Sequence, residues 1–544
     1  MALSELAVEA TQADAARSVD RGPHLATVAR PLGYPAHTPL TISLFRYAPA
    51  MAFLLVVIAN AQRLTDPDLW GHLRFGQAVL TAHHLVRTDP YSYTALGHPW
   101  RNHEWLTEVL MAVFYNHLGV IGLKLWKLSC VAATIGSLVF AMAETGASAA
   151  IQLNLLMVAV VAVMPQMQFR PQLFTFALFA ALLALLARHA HRGVARLWLI
   201  IPMMALWANL HGGFIAGLGV LGVYTAVTGA RALFLRNSLV PAVRLGLLTL
   251  AALLATLLTP YGVDTWIAVL HALRNPVTRT AINDWQPLLF HLARQWHQWP
   301  LGASYYLCAL LLMATTLIAF ALAPNFDDLP LMAVAVLMIV AAFTAVRNMP
   351  LAVMACLLPA ARHLSLALMR GAEPRNREER SSTNQFVVAI AAAFLIFYSG
   401  ACSPRLETEQ PYPARAVSFM QAHGLRGNIL GDFGWGEYLI WHAPESKVFI
   451  DGRYDTVFAD KTIRDYVKLY FDLPGADRAI SDYAHDFILL PPAAPIVRKL
   501  STTPGWQLVY RDEAAVLFAR SSVAAALHGA PLAIGGASKH QYFP

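Results

Sequence analysis

The segment Asp66-Pro67-Asp68-Leu69-Trp70 sets two carboxylates one residue apart, braced by proline, directly after the first strongly apolar stretch, residues 47–62. Charge beside a membrane span is costly unless it is used, and a carboxylate pair has two uses: taking a proton from a nucleophile, or holding a divalent cation. Asp66 and Asp68 are therefore the expected catalytic residues and the expected metal ligands. The competing use is structural, because aspartate is a good helix N-cap and a short helix is expected from Leu69. Residues 64–103 go on to supply His72, Arg74, His83, His84, Asp89, His98, Arg101, Asn102 and His103, and lead into Glu104. A connection of roughly 40 residues among short turns is more often functional than filler. His72, His103 and Glu104 are expected at the site, the last two if that end of the loop folds back on the aspartates.

Further polar residues sit at turns between apolar segments. Arg170 lies between Phe169 and Pro171, and Arg347-Asn348 occupies a tight turn. A guanidinium can snorkel to lipid headgroups, or it can bind phosphate through its planar fork. Asn209, His211 and Gly212-Gly213 form a polar turn, with the glycines suited to a sharp reversal. Tyr261 is a candidate to stack on a sugar ring, against the common alternative of an interfacial aromatic. Farther on, 431–438 and Asp451-Gly452-Arg453 read as aspartate-capped turns that could also hold an acceptor.

The elements that must position these residues are mostly membrane spans. The 544 residues are 57% hydrophobic and 13% charged, with a mean hydropathy of +0.49, whereas soluble proteins carry about 25% charged residues. The net charge of +8 collects as arginine in short loops, a pattern of membrane orientation that needs no nucleic-acid partner. Cys130, Cys308 and Cys356 lie in apolar segments and Cys402 ends one, with no metal or disulfide spacing.

About eleven spans are expected: 47–62, 120–143, 149–165, 173–187, 197–210, 214–233, 245–258, 303–323, 330–346, 349–368 and 386–401. Residues 105–118 are also apolar. Read as a helix lying at the outer surface, they leave the arginine-bearing segments 188–196, 231–244 and 362–380, with the N-terminus, on the cytoplasmic side. The motif-bearing turns then all face outward. The expected organisation is a disordered cytoplasmic segment 1–46, a transmembrane domain 47–402 with outer loop 64–103, an extracytoplasmic α/β domain 403–520, and a loose tail 521–544. In the α/β domain, 428–430, 447–450, 487–490, 507–510 and 515–519 read as strands, and 414–423 and 461–470 as helices.

This plan resembles the GT-C superfamily of polytopic glycosyltransferases, which includes protein O-mannosyltransferases, lipid A aminoarabinose transferases and oligosaccharyltransferase catalytic subunits. The likeness rests on the order of segments 66–76, 89–104, 169–176, 207–214, 347–350 and 434–455, and covers about residues 47–520. It implies a bacterial inner-membrane enzyme that transfers a sugar from a polyprenyl-phosphate-linked donor to an extracytoplasmic glycan, lipid or protein by inverting displacement. Asp66 or Asp68 would then act as base, with Arg170 and Arg347 on the departing phosphate. Magnesium or manganese suits such an oxygen-rich site, and histidine participation leaves zinc open. Trp435-Gly436-Glu437-Tyr438 departs from the WWDYG-like signature of oligosaccharyltransferases, which argues against N-glycan transfer. The alternative class is a non-catalytic transporter or scaffold in envelope polysaccharide assembly. The spans contain almost no mid-span carboxylates, which disfavours proton-coupled transport.

Overall fold

The computed structural model describes residues 64–193, 195–276, 282–298, 300–369, 405–408, 411–525, 533–534 and 542–544. The expected spans 47–62 and 386–401 and the N-terminal segment 1–46 lie outside the described residues.

The apolar runs fold as helices: α1 (Leu69–Ala82), α2 (Trp105–Glu144), α3 (Ala149–Val163), α4 (Gln172–Arg192), α5 (Ile200–Leu210), α6 (Phe214–Phe234), α7 (Val240–Ala255), α8 (Val263–Arg274), α9 (Leu288–Gln298), α10 (Pro300–Leu322), α11 (Leu329–Thr344) and α12 (Met349–Met369). Six of these, α2, α4, α6, α10, α11 and α12, are long and apolar enough to cross a membrane; α3, α5 and α7 are shorter apolar helices. Each of these nine helices overlaps one of the expected spans that fall within the described residues, and six of them are long enough to cross. With this composition, the chain is an integral membrane protein. Helix α2 is broken at Gly119 (φ 58, ψ −142), at the boundary expected between 105–118 and 120–143. Only glycine enters that backbone region without strain.

The C-terminal part folds around a six-stranded sheet. Its strands are β3 (Asn428–Gly431), β4 (Lys447–Val448), β5 (Phe487–Leu490), β6 (Trp506–Arg511), β7 (Val516–Arg520) and β8 (Ala533–Ile534), in the order β4-β3-β5-β7-β6-β8. Ile429 pairs with Phe487 in a parallel ladder, and Phe487 pairs with Ala519 in an antiparallel one. The helices include α13 (Ala414–Ala422), α14 (Gly436–His442) and α15 (Asp460–Tyr470).

Two devices join this unit to the bundle. First, the outer loop adds to the free edge of β4: Tyr93 N–H donates to Val448 O (3.1 Å), and Val448 N–H donates to Tyr91 O (3.1 Å). Second, β1 (Leu64–Thr65), β2 (Leu406–Thr408) and β9 (Tyr542–Phe543) form a small separate sheet. Within the expected tail 521–544, the described residues Ala533–Ile534 and Tyr542–Phe543 each add a strand, one to either sheet. These two-residue runs carry too little periodicity to read as strands, and they pair only with distant edges. Phe543 also reaches Trp70, which is 1% exposed and packs on Tyr412 and Tyr438 as well. Burying an aromatic ring of this kind contributes about 3 kcal/mol. Trp70 thus clamps the start of α1, and with it the aspartate pair, under the C-terminal domain.

Candidate active site

Neither aspartate side chain caps α1. Asp68 is the N-cap residue, but its carboxylate makes no cap hydrogen bond. Asp66 Oδ1 accepts instead from the Asp68 backbone N–H (2.9 Å), which fixes one carboxylate relative to the other. Arg170, at the turn before α4, meets both: Nε lies 2.7 Å from Asp66 Oδ2 and Nη2 lies 2.8 Å from Asp68 Oδ2. Its Nη1 meets Asp284 Oδ2 at 3.0 Å. Three carboxylates share this guanidinium, which fixes its plane against the acids. Their countercharge is the guanidinium.

Asp66 is 3% exposed. Burial raises its carboxyl from 3.8 to about 6, against the lowering by Arg170 and with a push from Asp68. Asp68 is a quarter exposed, and its Oδ1 has no hydrogen bond among the described residues. Of the pair, Asp68 is the one open to an incoming group.

A second group of donors lies alongside. His72, four residues after Asp68 and on the same face of α1, places Nδ1 3.2 Å from Glu108 Oε1. Glu108 Oε2 accepts from Asn102 (2.5 Å). Gly76 allows this approach, because a Cβ there would collide with the Glu108 carbonyl. Burial opposes charge on His72, but the hydrogen bond to Glu108 and the neighbouring carboxylates lift it to about 9. Glu104 completes the group: one ligand atom each from His72, Glu104 and Glu108 lies within 4.8 Å of the others. An imidazole and two carboxylates fit a divalent cation of the manganese or zinc kind.

His211 faces Glu104 across a 3.4 Å gap from Nε2. Its Nδ1 accepts from the Gly213 N–H (2.9 Å) and bonds the Thr175 hydroxyl (2.8 Å). The proton is therefore on Nε2, directed at Glu104. Burial lowers this imidazole to about 3, so it is neutral. Burial opposes ionisation of Glu104 too, but His103 first, with His72 and Arg170, outweighs it and lowers its pKa. His103 Nε2 lies 3.7 Å from Glu104 Oε1.

The remaining expected residues divide. Arg347 stacks over Trp285 (4.4 Å to the ring centroid), next in sequence to Asp284, and its charge is felt at His211. Asn348 donates to Ala341 O (3.1 Å) and pins its own turn. Asn209 accepts from Trp105 Nε1 (3.2 Å) and donates to Leu258 O (2.9 Å), joining three elements. Arg87 covers one face of the Tyr261 ring at 5.4 Å, where a sugar was expected. Asp89 and Asp451 are both bound to Arg453 and hold the two domains together.

Two acids of the centre, Glu108 and Asp284, are not marked in the sequence, and Glu437 is marked only as part of the turn 431–438. The four-residue spacing of Glu104 and Glu108 was an available signal for the first. Asp284 stands alone in an aromatic turn and carries no comparable mark.

No protein-family model and no curated protein sequence matches the chain. Solved structures do match. The archaeal oligosaccharyltransferase AglB from Archaeoglobus fulgidus, in complex with an inhibitory peptide and a dolichol-phosphate, is 11% identical with a TM-score of 0.56, over 82% of this chain and 69% of that one. The apo form of the Archaeoglobus fulgidus oligosaccharyltransferase gives a TM-score of 0.52 at 11% identity over the same shares. ArnT from Cupriavidus metallidurans bound to undecaprenyl phosphate gives 0.47 at 13% identity, over 88% and 98%. The chain shares the fold of the Archaeoglobus fulgidus oligosaccharyltransferase.

Proposed function

We propose that this protein transfers a sugar from a polyprenyl-phosphate-linked donor to an extracytoplasmic acceptor by a single inverting displacement. The observation that carries this reading is the Asp66–Arg170–Asp68 arrangement at the end of an apolar bundle, beneath a second domain, in a chain with the fold of AglB. Asp68 accepts the proton of the acceptor hydroxyl through its open Oδ1 as that oxygen forms a bond to the anomeric carbon. The bond from that carbon to the phosphate oxygen breaks, and its electron pair leaves with the phosphate. Asp66 acts through Asp68, whose N–H it binds. Arg347 is assigned to the charge growing on the phosphate.

A divalent cation held by His72, Glu104 and Glu108 would add positive charge to the same end of the site. His211, held at Nδ1 by Gly213 and Thr175, keeps its Nε2–H beside Glu104. On this reading the protein lies in a bacterial inner membrane with its N-terminus cytoplasmic and its C-terminal domain outside, the orientation that puts the arginine loops inside. Mass spectrometry of lipid that copurifies with the intact protein tests it. The expected species is a polyprenyl phosphate bearing a sugar. Bulk phospholipid alone, together with full complementation in cells by Asp68→Asn, would overturn it and favour a scaffold.

A further inference from the structure

Helix α9 is too short to cross a membrane: its 11 residues rise about 16 Å, roughly half of a bilayer core. Its side chains sort into two faces. Leu288 and His291 are buried against the bundle. Leu289, Ala293 and Trp296, spaced by four and three residues, form an exposed stripe on one side. Leu289, its neighbour Phe290 and Trp296 are 53, 49 and 56% exposed. Arg294 and Gln298 occupy the opposite exposed edge. Only residue 299 separates α9 from α10, which is long enough to cross a membrane. His291 stacks on Tyr306 of α10, with ring centroids 6.1 Å apart. Tyr306 lies about 9 Å along α10 from its start at Pro300. Helix α9 therefore lies alongside the first two turns of that span rather than above it. Leu307 and Leu311 of α10 continue the exposed apolar surface.

A stripe of leucine and tryptophan, continuous with the exposed side of a span and edged by arginine, has the chemistry of a helix lying in a membrane surface. We propose that α9 docks on the lipid leaflet at the Asp284 end of the bundle, with Leu289, Phe290 and Trp296 among the upper acyl chains and Arg294 at the lipid phosphates. The long stem of an arginine lets its charge reach that layer from a helix seated below it. The buried face of the same helix grips the candidate site. His291 Nε2 donates to Asn283 O (2.8 Å), and the next residue, Asp284, lies 3.0 Å from Arg170 Nη1. Gln286 O accepts from the Val346 N–H (2.8 Å), beside Arg347. The leaflet, acting through α9, thus sets the height of the 283–286 turn and holds Arg170 near the level of the lipid head groups. This goes beyond the sugar-transfer reading and does not depend on it.

Photo-crosslinking of the full-length protein in nanodiscs of phosphatidylglycerol and phosphatidylcholine tests the docking. Leu289, Trp296 and Gln298 are replaced one at a time by benzoylphenylalanine, and the intact mass after irradiation reads what each position touches. Phospholipid adducts should form at 289 and 296, severalfold more than at 298 on the opposite edge. Two probe positions keep the test decisive if one variant fails to fold. Lipid labelling that is absent or equal at all three positions, a crosslink to a second copy of the chain, or a crosslink within the chain overturns the docking. Hydrogen exchange in the same nanodiscs tests the hold on the site. Trp296→Ser should speed exchange at Trp285 and Gln286, whose N–H groups donate to Ile282 O and Asn283 O, by about tenfold, with α4 unchanged. Wild-type rates at both amides, or an equal rise in α4, overturn that half and leave α9 as a membrane anchor only. Neither readout requires sugar transfer, so loss of the transferase reading would leave both results standing.

Discussion

Arg170 Nε lies 2.7 Å from Asp66 Oδ2, and the same guanidinium reaches Asp68 and Asp284. The acids come from the first outer loop and from the turn before α9, and the arginine comes from the turn before α4. One planar cation thus fixes three separate segments, and it sets the distance between the two aspartates that the chemistry depends on. Substituting Arg170 by alanine would leave Asp66 buried and uncompensated beside Asp68. The expected loss is about 3 kcal/mol of stability, read as a lowered melting point in detergent. Arg170→Lys should keep part of the stability but not the geometry, since lysine cannot bond several carboxylates at fixed angles. A wild-type melting curve for Arg170→Ala would contradict the scaffold role.

The pH dependence has opposite signs for activity and for stability. Burial raises Asp66 to about 6, so the folded protein holds that proton more tightly than the unfolded chain, where the pKa is 3.8. The stabilising contribution of this group is full below pH 3.8 and is lost as the pH rises toward 6. Transfer should run the other way, rising through pH 6 as Asp66 becomes an anion and completes its pair with Arg170. A rate profile that is flat between pH 5 and pH 7.5 would exclude Asp66 as the group that controls the acid limb.

What could be read in the sequence follows from how the groups are displayed. Asp66, Asp68, Arg170, Glu104 and His211 stand out because each interrupts or borders an apolar run, where charge or polarity needs a reason. The apolar runs themselves are long enough to name as spans, and the alternating runs of the second domain as strands. Burial was the part that could not be read. Arg170 has the same residue type whether it faces a phosphate or three carboxylates, and only the fold brings Asp284 to it. Glu108 looks like an ordinary helix charge until Gly76 lets α1 approach closely enough for His72 to meet it. Glu437 meets Gly71 of α1 only through domain docking.

Metal content offers an independent test of the second cluster. Protein purified in manganese-containing buffer should carry about one equivalent by plasma mass spectrometry, and Glu104→Gln or Glu108→Gln should lower it, since each removes an anionic ligand. Loading should also climb as the pH rises toward 9, because His72 Nδ1 must give up its proton before it can ligate and its pKa is lifted to about 9. Equal metal in wild type and both glutamine variants would show that this cluster holds no cation. In that case the His72–Glu108 contact is a buried ion pair that fixes α1 on α2.

The last prediction concerns the joint between the domains. Arg453 Nη1 lies 2.7 Å from Asp89 Oδ1 in the outer loop, and Nη2 lies 2.6 Å from Asp451 Oδ2 in its own turn. The guanidinium also stacks against Phe75, Tyr91 and Trp100, at 5.2, 5.1 and 4.8 Å. Both aspartates are fully buried, so removing the cation strands two charges among aromatic rings. Arg453→Ala should therefore cost about 3–5 kcal/mol. Because Arg453 spans the outer loop and the α/β domain, the damage should localise there. Hydrogen exchange at Tyr93 and Val448, whose backbone bonds join loop to β4, should speed up before exchange in α4 or α12 does. Arg453→Lys should behave much like alanine, since an ammonium cannot stack and bond both carboxylates at once. If exchange at Tyr93 and Val448 is unchanged in Arg453→Ala, the loop is held to the domain by its strand pairing alone, and the charged latch is dispensable.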